Sequence, residues 1–153
     1  MSLDIKLIEA QLALELIASE DMPRIAWDAL EAGFDGPAIR RLAALEHPTY
    51  FEVADVLPRV RQELGLSHIA SDEAAELIAK QLVQKILDSA DNPMKFVRDF
   101  EHLWQLAGYP AKLAALGTLY DDVSIAQTDG VSESKIRDWV ASVLSDYVRS
   151  HEG

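Results

Sequence analysis

A chain of 153 residues with 26 acidic against 14 basic side chains carries a formal charge of −12 and has no cysteine. Disulfide frameworks, thiolate metal sites and thiol catalysis are therefore excluded, and the surplus of carboxylates works against phosphate backbones and anionic membrane surfaces. The length suits one domain with its own core, and the lack of cysteine suits a reducing cytoplasm.

Apolar periodicity is helical nearly throughout, and no run alternates with period two for long enough to make a strand. The stretch Leu3 to Ala18 is apolar-rich but interrupted by Asp4, Glu9 and Glu15. It reads as a first helix over 4–18, not as a signal peptide or a membrane span. Its apolar residues occupy more than half the circumference, which predicts a central position or a face covered by a second subunit. Pro23 opens a short helix that closes at Gly33, and Gly36-Pro37 opens another that ends before His47-Pro48. A helix from Thr49 to Leu64 contains Pro58, which predicts a kink or a restart capped by Asp55, and Gly65 closes it.

The second half is more regular. Ala75, Ile78, Ala79, Leu82, Val83, Ile86, Leu87 and Ala90 predict a helix over 72–89, with Ser71 as cap and Glu76–Lys80 paired one turn apart on the wet face. Asn92-Pro93 opens a helix whose stripe is Phe96, Val97, Phe100, Leu103, Trp104 and Ala107, with Gly108 at its end. Pro110 begins a helix toward Tyr120 weakened by Gly117. Residues 121–131 read as the longest loop, and a final helix presents Ile136, Trp139, Val140, Val143, Leu144, Tyr147 and Val148 behind a Ser132 cap. Met1-Ser2-Leu3 and Glu152-Gly153 read as vector-derived. The expected architecture is all-α: a single compact domain of about eight helices packed as antiparallel pairs. Within it, Ala32-Gly33-Phe34 and Ala107-Gly108-Tyr109, each followed by a proline and a Leu-Ala-Ala-Leu run, read as two similar helical corners.

Reactive chemistry finds no foothold. His47, His68, His102 and His151 form no ligand pair, and Asp99 with His102 supplies only one copy of a spacing that a di-metal bundle needs twice. The stretch Asp121-Asp122 to Asp129-Gly130 invites a calcium reading, but a loop with Gly130 at its sixth position would begin at Ile125 and end at Ile136, where carboxylates are required. No GxSxG, SxxK or glycine-rich phosphate cradle is present. The sequence thus implies no catalytic residue, no metal and no cofactor.

Surface recognition remains. Trp104 and Trp139 lie on apolar stripes and read as core. Core is also the first reading of Trp27; the alternative is a half-exposed interface anchor ringed by Asp28 and Glu31. Asp121 and Asp122 are further acids that could meet a basic partner. Residues 1–76 hold 15 acids and 6 bases, residues 77–153 hold 11 and 8, so the acidic face is expected in the first half.

Asp21-Met22-Pro23, Trp27 through Gly33, Pro37 through Ala43, Glu63-Leu64-Gly65-Leu66 and the Asn92-Pro93 helix with Trp104 together resemble a bacterial family of small acidic helical proteins without an assigned activity. Some similar proteins are immunity proteins that neutralise toxins. The resemblance implies a helical fold and a protein partner, and it assigns no residue a role. The expected function is a non-catalytic protein-binding module, immunity-type or adaptor, meeting a partner protein of basic character. The alternatives are a structural homo-oligomer and a helical protein that binds a small molecule.

Overall fold

The computed structural model describes residues 3–150. Of the ends read as vector-derived, Met1-Ser2 and Glu152-Gly153 lie outside the described residues, as does His151, whereas Leu3 is described and packs against the core of the first unit. Every regular element among the described residues is helical, as expected, and the chain divides into two compact units, Met1–Ala70 and Ser71–Gly153.

The first unit holds four helices: α1 (Ile5–Ala13), α2 (Met22–Glu31), α3 (Pro37–Ala43) and α4 (Tyr50–Leu64), with a 3-10 turn at Ser19–Asp21 before α2. Asp4 caps α1, its carboxylate accepting from the Leu7 N–H at 3.1 Å. That helix stops well short of residue 18. Glu15 takes a left-handed backbone, φ 54°; its N–H donates to the Leu12 carbonyl, and the Leu16 N–H reaches back to Gln11. This is the paired closure that glycine normally provides. Glutamate at that place hid the helix end from a reading based on glycine.

Small residues draw α2, α3 and α4 together. Ala26, Ala29, Ala38 and Ala43 are buried beside Ile39, Leu42, Val53, Val56, Val60 and Leu64, and α3 packs against both α2 and α4. On α1, Ile8 and Leu12 join this core, while Ala10 and Leu14, nearly half a turn round, are buried as well. Burial on α1 therefore reaches more than one side of the helix, as its broad apolar surface predicted.

α4 neither breaks nor restarts at Pro58. Thr49 and Glu52 form a complete capping box, and Gly65 ends the helix at φ 69°. Asp55, expected to cap a restart, instead meets Arg41 at 3.3 Å. Pro58 is exposed, so the Ala54 carbonyl left without its donor lies on a side that water can reach. Pro58→Ala restores that hydrogen bond and relieves the ring clash, gains partly offset by the freer unfolded chain. Urea unfolding should show a gain of about 1–2 kcal/mol; a loss of stability would mean that the proline shapes α4 to a purpose.

The second unit runs α5 (Ser71–Leu87), a 3-10 turn Pro93–Phe96, α6 (Val97–Leu106), a second turn Ala111–Leu113, α7 (Ala114–Gly117), α8 (Leu119–Thr128) and α9 (Glu133–Ser150). α5 packs along α9, and α6 packs on α7 and α8. Buried Ala75, Ala79, Val83 and Ile86 follow the predicted stripe of α5. Glu76, however, reaches Lys112 at 3.8 Å across the unit, not Lys80 on its own helix. Asn92 caps the 3-10 turn that opens the α6 segment, accepting from the Met94 N–H at 3.0 Å.

The loop expected over 121–131 is helix α8. Asp121 and Asp122 stand in its first turn, where the positive end of the helix dipole favours them, and Leu119 and Val123 anchor it by burial. The two corners noted in the sequence share one geometry: Gly33 and Gly108 are left-handed, and the N–H groups of Phe34 and Tyr109 reach back five residues, to Ala29 and Trp104.

Candidate functional site

On α2 the buried positions are Met22, Ala26 and Ala29. Trp27 stands one residue off that stripe and is 56% exposed. The core reading of Trp27 is corrected: close approach of α2 to α3 through alanines leaves no room for an indole between them, so the ring stays outside. Asp28 is half-buried and Glu31 exposed. Among the described residues neither has a cationic partner in an ion pair. The arrangement is an exposed aromatic ring with two carboxylates that make no such pair, and with the exposed Arg24 one turn before Asp28 on the same helix. Chemically it offers apolar contact area together with acceptors for Lys or Arg.

Asp121 and Asp122 are exposed on α8 and belong to the other unit, so the five residues singled out in the sequence fall into two separate groups. The charge is also shared differently from the expectation. Cut at the structural boundary, the first unit holds twelve acids and six bases and the second fourteen and eight, an excess of six negatives in each. The lean toward the first half came from cutting the sequence after Glu76 and vanishes once Asp72, Glu73 and Glu76 are placed in α5.

Trp139 is a second correction. α9 buries Ile136, Val140, Leu144 and Tyr147, which turns Trp139 to the edge of that stripe at 42% exposure. Trp104 is half-buried; its Nε1–H donates to the Pro110 carbonyl at 3.1 Å, and Tyr109 meets its ring edge-on at 4.9 Å. Burial first, and the nearby Glu76 carboxylate second, push the Tyr147 phenol up to about 12. It therefore holds its proton throughout the physiological range.

The first unit also carries a cleft of about 380 Å³, which the sequence reading did not anticipate. Leu12, Ile17, Met22 and Leu57 form its apolar floor, and Glu15, Tyr50 and Arg61 stand around it. The same four floor residues line a small void in the unit's core, so the cleft opens directly onto apolar packing. Tyr50, Ala54, Leu57 and Arg61 recur at i, i+4, i+7 and i+11, a second stripe of α4 beside the buried Val53, Val56, Val60 and Leu64. That spacing was the available signal. The other wall was hidden, because it depends on α1 ending at Glu15.

Among the described residues no three His, Asp or Glu side chains gather where a metal ion could be held. No described helix is long and apolar enough to cross a membrane. No family model, no curated protein and no solved structure matches the chain.

Proposed function

We propose that this chain is a non-catalytic protein-binding module, of the immunity or adaptor type, which meets a basic partner protein through the outer face of α2. The observation that carries the reading is the exposed indole of Trp27 beside the unpaired Asp28 and Glu31. Tryptophan is the side chain most enriched among residues that dominate binding energy, because it covers a large area at little entropic cost. A surrounding excess of negative charge speeds encounter with a cationic surface and selects against acidic competitors. Asp121 and Asp122 are exposed acids of the second unit that could meet the same kind of basic surface. The same field disfavours nucleic acid and anionic membranes as partners. The cysteine-free composition fits a cytoplasmic setting.

The test is capture of partners by the immobilised protein at low and at high salt, with wild type and Trp27→Ala side by side. The expected result is a basic protein retained at low salt and released as salt rises. Removing the indole should weaken its binding about thirtyfold or more. A catch that ignores both salt and Trp27→Ala, or no catch at all, would remove the reading.

A further inference from the structure

The cleft on α1 and α4 combines three features that occur together nowhere else among the described residues. Its floor is apolar and continuous with core packing. Its edges carry one cation, Arg61, and one anion, Glu15, which are not ion-paired with each other or with any described residue. Finally, Glu15 is held in a left-handed backbone that costs a side-chain-bearing residue about 1 kcal/mol or more.

An unpaired arginine is the informative part. In the first unit the exposed Arg40 and Arg41 each take a carboxylate, while Lys6, Arg24, Arg59 and Arg61 make no ion pair among the described residues. Of these four, Arg61 alone is half-buried and the others are exposed. A half-buried arginine at the edge of a cleft, with no carboxylate partner, can offer its guanidinium donors to an acceptor from outside. A plain anion would satisfy Arg61 but meet Glu15 in the same cleft, and a plain cation would have the converse difficulty. A molecule that carries both charges, as an α-amino acid does on a single carbon, can answer both.

We infer that the cleft binds a zwitterionic small molecule with an apolar side chain, an α-amino acid of the leucine or phenylalanine kind. Its carboxylate lies on Arg61, its ammonium on Glu15, and its side chain on Leu12, Ile17, Met22 and Leu57. The volume is within the range of small-molecule sites, and Tyr50, 67% exposed at the edge, supplies an aromatic wall. This site shares no residue with the Trp27 face, so either can fail without the other.

The experiment is an amide-resolved NMR titration of the full chain at physiological salt with L-phenylalanine, phenylalaninamide and N-acetylphenylalanine. L-Phenylalanine should bind saturably and shift Ile17, Met22 and Leu57. The amide lacks the carboxylate and the acetyl derivative lacks the ammonium, so each should bind about tenfold more weakly. Arg61→Gln should bring L-phenylalanine down to the level of the amide, Arg61→Lys should retain part of the difference, and Glu15→Gln should bring it down to the level of the acetyl derivative. The spectra themselves report whether each variant is folded. Absence of saturable shifts at the cleft, or equal binding of all three probes, would overturn the inference.

Discussion

Gly117→Ala should destabilise the protein by about 2–3 kcal/mol, although alanine is the better helix former by about 1 kcal/mol. A Cβ at Gly117 would fall 2.3–2.5 Å from ring carbons of Trp104, far inside van der Waals contact. The indole cannot simply withdraw. Its N–H is engaged with the Pro110 carbonyl and Tyr109 stands edge-on against it. The glycine is therefore required by close approach, and the helical run from Ala114 breaks there into α7 and α8. Urea denaturation gives the magnitude, and a double-mutant cycle gives the cause. In a Trp104→Leu background the cost of Gly117→Ala should fall below about 1 kcal/mol. An unchanged cost there would place the strain in the backbone instead.

The second large effect is expected at Glu63. α3 has only seven residues, too few to stand without help at its ends. Its opening amides are bound from α4: the Ala38 N–H donates to Glu63 Oε2 at 3.0 Å and the Ile39 N–H to Oε1 at 2.9 Å. One carboxylate thus satisfies two helix-terminal donors from 25 positions away in sequence and sets a negative charge at the positive end of the dipole. Gly36 makes the approach possible, since a Cβ there would sit 2.2 Å from the same carboxylate. Glu63→Ala strands both donors in a part-buried place and should cost about 2–3 kcal/mol. Glu63→Gln keeps one acceptor, loses the charge and should cost about half as much. Hydrogen exchange should show the Ala38 and Ile39 amides losing protection first. If protection there is unchanged, α3 is held by packing alone.

The helices with plain apolar stripes, α5 and α9 above all, were readable from periodicity because their burial follows large aliphatic side chains. Where alanine does the burying, the pattern misled. On α2 the weight of an indole outvoted Ala26 and Ala29, yet small residues are what let two helices approach, and the large ring is then excluded. Trp139 failed for a related reason: it lies within the apolar arc of α9 but at its margin. Other misses concern backbone signals with two meanings. Asp121-Asp122 suits a turn and a helix start equally; Pro58 breaks a lone helix but is tolerated where its orphan carbonyl is wet; Glu15 closes α1 without the glycine that usually announces closure. The Glu63 clamp and the Glu15–Arg61 cleft were beyond reach because each joins segments separated by tens of residues. Of the residues proposed for recognition, Trp27, Asp28 and Glu31 could be named from one helical turn, whereas the placement of Asp121 and Asp122 in a separate unit needed coordinates.

The central claim is that the outer face of α2, with Trp27 at its middle, is built to hold a cationic protein surface. Its most direct test is the dissociation constant of the captured partner measured across a salt series for wild type, Trp27→Ala and Asp28→Asn/Glu31→Gln. The account predicts that affinity falls with salt in wild type, that the slope is shallower in the charge variant, and that Trp27→Ala is weak at every salt concentration. Equal affinities for wild type and Trp27→Ala, with a slope untouched by neutralising the two acids, would contradict it.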